Sequence, residues 1–462
     1  MGMGRWLHGA GALPAILVAT EAAALTFTPD PVFRPGLTVK IEEAALPFAP
    51  SGPSQYASPV VIDGALHVVD QFGEIRRQAA DGSFETVFTA ADLPPGIVPA
   101  GGRAILNIAD GPGGAVVMAI TSDTLPPGIG PAAALPTAPE YGSGQRDYQV
   151  IYRFAQGADG RLRNPQALAA FEMPPRGHAG GGLLALDTGE VLFATGDALG
   201  FDRDGLAAPQ DVASHLGKLL LIDDGGVEVV AQGVRNVQRL TFTDEGKSRI
   251  AFADIGANTA EEINSIALSD LLDDDPQTTP NFGWGRNPDG RAREGTFYIT
   301  VNADGRLDGG TTHAPQPEPG FLQPYAQLGR EGEPFIAISG PAVSPDAFDS
   351  ITSIFGDLVS GSLYATLDPF GGSGLADVYA VTLVDPDGAL VTLKDLAAGR
   401  PDPRFFSFAD GGAGVLLEAT GRIYRLSDAT NVIPLPAGAW MLLTGLAGLW
   451  MAPRRSGAGP RS

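Results

Sequence analysis

Between about residue 50 and residue 428 this chain carries almost no helix signal, and that scarcity narrows the folds open to it more than any other feature. Short apolar runs rich in β-forming residues alternate with Asp-Gly, Gly-Gly and proline-containing turns. Val60-Val61-Ile62, then Asp63-Gly64, then residues 66–69 read as a hairpin, because Asp-Gly supplies the positive φ that a two-residue turn needs. Asp81-Gly82, Asp159-Gly160, Asp224-Gly225, Asp387-Gly388 and Asp410-Gly411 mark further tight turns. The hairpins group into about six units, starting near Ser58, Ile105, Ala179, Gln238, Ile338 and Arg404, each with room for about four strands. Long loops at 121–147 and 270–335 make the spacing irregular. Repeated four-stranded units without helices predict an all-β fold, a six-bladed β-propeller of four-stranded antiparallel blades. A large β-sandwich or a pair of stacked β domains is the alternative.

The chain has 462 residues and no cysteine, which excludes a disulfide framework, thiol catalysis and cysteine-ligated zinc without deciding the compartment. Its formal charge of −23 gives a surface that repels nucleic acid and anionic lipid, so no nucleic-acid partner is expected. Both ends read as processing signals, with the propeller expected over 25–430. Residues 1–24 place Arg5 before an apolar run through Leu13, Ile16, Leu17 and Val18 and close on Ala22-Ala23-Ala24, the pattern of a cleaved signal peptide, with an uncleaved membrane anchor as the alternative. Residues 431–462 hold Val432-Ile433-Pro434-Leu435-Pro436-Ala437, an apolar stretch over 438–451 and Arg454-Arg455. This layout resembles the VPLPA/PEP-type C-terminal sorting signals of Gram-negative bacteria, with Ile433 interrupting the motif. The resemblance implies export across the inner membrane, an exosortase-type processing enzyme, and a final place in the periplasm, at the cell surface or in the extracellular matrix. A plain C-terminal membrane anchor is the alternative.

Chemistry concentrates at residues 177–197, GHAGGGLLALDTGEVLFATGD. His178 stands before a glycine run that allows close backbone approach to a flat ligand, and a histidine there can act as a general base near neutral pH. Three further segments follow in order: QDVASHLGKLLLID over 210–223, GVRNVQ over 233–238, and DIGANTAEEIN over 254–264 with NFGW at 281–284. Together the four segments resemble the glucose/sorbosone dehydrogenase family, soluble sugar dehydrogenases that use pyrroloquinoline quinone (PQQ). The likeness covers residues 100–300 well and 330–428 loosely.

The resemblance implies a role for each matching residue. His178 would take the proton from a sugar hydroxyl while hydride passes to the quinone. Arg235 and Asn236 would contact the PQQ carboxylates and quinone oxygens, assisted by Gln238, since an arginine fork suits a carboxylate; a loop brace is the alternative reading of the pair. The backbone carbonyls of Gly256 and Ala257 would bind the Ca2+ that activates PQQ, with Glu261 and Glu262 close enough to steady their loop. The acidic run Asp273-Asp274-Asp275 is a second calcium candidate, with a solvated loop as its alternative. His215 is expected to be structural, and His67 and His313 have no motif around them.

Two departures weaken the cofactor cradle. An expected Arg-x-Arg pair reads Arg404-Phe405-Phe406, so only Arg404 remains, and the lysine expected near residues 355–364 has no counterpart. Arg103 is the candidate replacement cation. Two functions therefore stay open. One is a secreted PQQ-dependent oxidoreductase acting on an aldose or related alcohol, with an external electron acceptor. The other is a non-catalytic, surface-sorted propeller that binds glycan or a protein partner.

Overall fold

The computed structural model describes residues 37–48, 55–99, 104–132, 147–173, 177–198, 206–257, 259–273, 279–287, 289–302, 307–315, 317–330, 337–343 and 347–429. The expected signal segment 1–24, the C-terminal segment 431–462, Arg103, Asp274 and Asp275 lie outside these residues. Among the described residues, no helix is long and apolar enough to cross a membrane.

Asp63 and Gly64 both take positive φ, 48° and 72°, and so turn Val60–Ile62 back onto Ala65–Asp70 with Val60 opposite His67. Glycine at positive φ recurs in later turns, at Gly82, Gly160, Gly388 and Gly411, and antiparallel sheets follow in chain order. The first holds these two strands with Glu74–Gln78 and Phe84–Phe88. The second is Ile105–Gly111, Ala115–Ser122, Asp147–Gln156 and Leu162–Met173. Gly180–Ala185, Val191–Thr195, Lys218–Asp223 and Gly226–Gln232 make the third. Thr241–Phe242, Arg249–Asp254, Ala260–Ala267 and the distant Ala326–Gly329 make the fourth. The 270–335 stretch, expected as a loop, thus supplies a strand to the fourth sheet, and it also carries a small three-stranded sheet over Ala292–Glu294, Phe297–Val301 and Leu307–His313.

The units expected near Ile338 and Arg404 are not separate. Thr38–Ala45 runs parallel to Val378–Val384 and antiparallel to Arg422–Asp428, and so joins both into one nine-stranded sheet. A strand from the N-terminal side thereby ties the start of the described chain to its end.

The cores show how the sheets stack. Ile62, Ile75 and Phe88 of the first sheet pack on Ile108, Val116 and Phe154 of the second. Leu106, Val117 and Phe171 of the second meet Leu183, Phe193 and Leu220 of the third. The third meets the fourth through Leu192, Leu219, Ile250 and Phe252, and the fourth meets the nine-stranded sheet through Ile263, Leu328, Ile338 and Phe355. The ring then closes, with Phe406, Leu416 and Ile423 lying against Leu66 and Val68 of the first sheet. A closed ring of sheets packed face to face is the arrangement of a β-propeller. It also explains why strands such as Val191–Thr195 are buried throughout: both faces are covered, so alternation is lost.

His67 lies inside this packing with none of its surface exposed, its Nδ1–H donating to Ala65 O at 3.0 Å. Burial lowers its pKa to about 4. The unfolded chain takes up the proton near 6.5, so it binds more protons than the fold between pH 6.5 and 4, and stability falls as pH falls through that window. Replacing His67 with Gln should shrink this acid-induced loss by up to about 3 kcal/mol. Urea unfolding at pH 7 and pH 4.5 checks it; a variant that loses as much stability as the wild type would contradict the assignment.

Candidate functional site

A polar cavity of about 380 Å³ opens where the sheets converge. Its wall includes Gln55, Ser58, Gln71, His178, Gly180, Asn236, Gln238, Arg400, Asp402, Arg404 and Glu418. Of the residues expected at a site, His178, Asn236, Gln238 and Arg404 therefore share one cavity.

His178 is presented by strained backbone. Its φ of 58° lies in the left-handed region, just before Gly180–Ala185. Gly180 pairs with Thr195, so two residues further out His178 faces Asp197 across the hairpin. His178 Nδ1 lies 2.8 Å from Asp197 Oδ1. The other carboxylate oxygen accepts Trp284 Nε1–H at 2.9 Å. Asp197 N–H donates to Arg235 O, and Arg235 Nε stands 4.0 Å from the carboxylate. The Asp197 side chain is 1% exposed, so its charge depends on these contacts. The pairing sets the tautomer: Nδ1 donates to the carboxylate, and the second ring nitrogen carries the lone pair that accepts a proton.

The glycines of this segment differ from expectation. A Cβ on Gly196 would fall 1.7 Å from His178 O, and one on Gly180 would fall 2.5 Å from Ala194 O. They allow two backbone segments to touch, which brings His178 onto Asp197; the close approach is to protein rather than to ligand.

Arg235 also departs from expectation. It is not part of the cavity wall. Its guanidinium is buried and its Nη1 donates to Ile255 O at 2.7 Å and Gly256 O at 2.8 Å. The backbone N–H groups of Arg235 and Asn236 both reach the Asp254 carboxylate, at 2.8 and 2.7 Å. Burial raises the pKa of Asp254, against the pull of those hydrogen bonds. Asp254 thus fixes the turn that carries Asn236, whose Oδ1 accepts Gly180 N–H at 3.2 Å. Arg404 donates from Nη1 to Gln238 Oε1 at 2.9 Å and from Nη2 to Glu418 Oε2 at 2.8 Å. Arg400 pairs with Asp402 at 2.7 Å. Burial raises the pKa of Glu418, opposed by Arg404.

Phe406, Phe355 and Tyr364 occupy the positions where further cations were expected, and all three are core residues. His215 packs edge-on against Phe171, and His313 lies on Phe297. Gly256, Ala257 and Glu261 sit off the cavity wall, with their polar groups engaged by protein N–H groups. Burial raises the pKa of Glu261 to about 7 and pushes that of Glu262 up as well. Among the described residues, no three His, Asp or Glu side chains are grouped to hold a metal ion.

Sequence reasoning missed Asp197, Trp284 and Glu418 as site residues. The first was within reach, because the hairpin register that pairs residues 180 and 195 also pairs 178 with 197. Trp284 and Glu418 are 106 and 240 residues away from His178 in the chain; Trp284 lies in the NFGW segment already singled out, but without a role, and no local pattern points to Glu418.

No protein-family model matches this chain, and no curated protein matches it. Solved structures do. The PQQ-bound form of an aldose sugar dehydrogenase from Streptomyces coelicolor is 21% identical, over 85% of this chain and 99% of that one, with a TM-score of 0.54. A glucose dehydrogenase is 18% identical over 84% and 99%, with a TM-score of 0.55. The apo-form of the soluble aldose sugar dehydrogenase from Escherichia coli is 16% identical over 85% and 100%, with a TM-score of 0.53. At these identities the likeness establishes the fold.

Two glycines test the local account. Gly196→Ala should cost about 3 kcal/mol, since backbone cannot yield to a Cβ at 1.7 Å, and should displace His178. Gly64→Ala, at a φ of 72° with open space around it, should cost only about 1 kcal/mol. Denaturant midpoints of the two variants give the comparison; equal losses would contradict it.

Proposed function

We propose that this chain is an exported, six-bladed β-propeller oxidoreductase that oxidises an aldose or related alcohol, with PQQ as hydride acceptor and an external acceptor for the electrons. The carrying observation is His178 on the wall of a polar cavity, paired there with the buried carboxylate of Asp197. Three solved structures with a similar fold are an aldose sugar dehydrogenase with PQQ bound, a glucose dehydrogenase and a soluble aldose sugar dehydrogenase. The blade count takes the nine-stranded sheet as two blades joined by Thr38–Ala45. Export, exosortase-type processing and a periplasmic, surface or matrix location rest on the resemblance of the two chain ends.

The cavity fits a flat, oxygen-rich ligand. Asn236, Gln238 and Arg404 would hold PQQ beside His178. Bound there, PQQ would supply the two-electron acceptor that no amino-acid side chain provides. The protein supplies the proton chemistry. The second ring nitrogen of His178 takes the hydroxyl proton, and Asp197 stabilises the imidazolium that results. Trp284 holds the far carboxylate oxygen, so the pair keeps its geometry as charge develops. The calcium site implied by the resemblance does not fit the residues present, because Arg235 and Arg330 already bond the carbonyls of Gly256 and Ala257.

The second reading, a non-catalytic propeller that binds glycan or protein, is favoured by one observation. Both arginines of the wall are already paired, Arg400 with Asp402 and Arg404 with Glu418, which leaves little net charge for a tricarboxylate quinone.

Aldose-dependent dye reduction by the purified protein loaded with PQQ separates the readings. Under the first, His178→Ala and Asp197→Asn should each lower kcat by about 10²–10⁴-fold. Activity equal to that of His178→Ala, with no PQQ binding, would favour the second. Glu418→Gln, which releases the charge of Arg404, should tighten PQQ binding by about tenfold, equivalent to about 1.4 kcal/mol. An unchanged dissociation constant in a quinone fluorescence titration would show that Arg404 does not face the ligand.

A further inference from the structure

The resemblance places calcium on the carbonyls of Gly256 and Ala257, with Glu261 beside them. In this chain, guanidinium groups already occupy that position. Arg235 Nη1 donates to Gly256 O at 2.8 Å and to the neighbouring Ile255 O at 2.7 Å. Arg330 Nη1 donates to Ala257 O at 2.6 Å. Its Nε reaches Glu261 Oε1 at 2.7 Å, and its Nη2 bonds to the same oxygen. The remaining Glu261 oxygen accepts Gly256 N–H at 3.1 Å. All four oxygens of the candidate ligand set are thus hydrogen-bonded within the protein.

Charge and space both oppose a metal here. Calcium needs about six to eight oxygen ligands at roughly 2.3–2.6 Å. An ion on either carbonyl would lie beside a guanidinium that cannot lose its proton. The Arg235 and Arg330 side chains are 6% and 13% exposed, so water and salt do little to screen the repulsion. The loop is also packed: a Cβ on Gly256 would meet Ala260 O at 1.7 Å and Glu294 Oε1 at 2.2 Å. Nor do Gly256 and Ala257 line the cavity.

We propose that Arg235 and Arg330 are built-in cations standing in the calcium position, so that this loop binds no divalent metal. If the dehydrogenase reading holds, its cavity then works without calcium, a corollary that rests on that reading. The local claim does not, because it concerns only the loop and its two arginines.

Terbium binds at calcium sites and emits when an adjacent tryptophan is excited. It reports on this loop because Trp284 stacks beside Arg235, with the guanidinium carbon 5.2 Å from the ring centre. The experiment titrates Tb3+, and Ca2+ in competition, into the full chain after EDTA treatment, with no quinone or sugar present. The wild type and Glu261→Gln are expected to behave identically. Arg330→Gln, which releases Ala257 O and Glu261, is expected to gain a Ca2+-displaceable signal at least tenfold above wild type, and Arg330→Gln/Glu261→Gln to lose it again. A wild-type signal that Ca2+ displaces and Glu261→Gln weakens tenfold would overturn the proposal. So would a folded Arg330→Gln that gains nothing. If Arg330→Gln does not fold, the wild-type titration decides: Ca2+-displaceable emission from Trp284 overturns the proposal, and its absence supports it. A loop that rejects Tb3+ in a protein that also fails to oxidise sugar would leave this inference standing while the functional reading falls.

Discussion

Asp197 holds a carboxylate at the edge of the central cavity with 1% of its side chain in contact with water. A charge so placed must be bonded on every side, and its partners come from three parts of the chain. His178 and Trp284 bond its two oxygens, and the backbone of Arg235 accepts its N–H. The loop before the third sheet, the loop after residue 280 and the turn carrying Asn236 therefore share one anchor. Removing the carboxylate would take the acceptor from two N–H groups at once, His178 Nδ1–H and Trp284 Nε1–H.

Around that anchor the interior is unusually rich in charge for a fold assembled from apolar sheets. Asp254 binds the N–H groups of Arg235 and Asn236, Glu261 binds Arg330, and Glu262 binds Asn264 and Gly295. Burial drives the pKa of all three acids upward. Lys218 shows the same economy of charge. It is fully buried, and its ammonium donates to the carbonyls of Ala208, Pro209 and Leu216, which fastens the 206–217 loop beneath the site. These groups position backbone. Of the residues expected at the site, His178, Asn236, Gln238 and Arg404 line the cavity, beside Gln55, Ser58, Gln71, Arg400, Asp402 and Glu418.

Much of the fold was legible because its signals are local. An Asp-Gly turn fixes a hairpin without help from the rest of the chain, and repeated hairpins without helices point to a ring of sheets. The joining of two units through Thr38–Ala45 was not legible, since its partners at Val378–Val384 and Arg422–Asp428 lie more than 300 residues away. At the site, His178 could be named from its segment, but the direction of a side chain could not. Arg235 sits beside Asn236 in sequence, yet one is turned into the protein and the other toward the cavity. Gly256 and Ala257 matched a motif, but the arginine that caps Ala257 comes from residue 330, and only the folded chain brings it there.

The central claim is that the His178–Asp197 pair acts as the base in oxidation of a sugar by a quinone held in this cavity. A single-turnover experiment tests it most directly: protein loaded with PQQ is mixed with an aldose under anaerobic conditions and the quinone absorption is followed in a stopped-flow instrument. The account predicts rapid bleaching, with one sugar oxidised per quinone, in the wild type, and bleaching slower by orders of magnitude in His178→Gln with the quinone still bound. Bleaching at the same rate in both, or none in the wild type, would contradict it.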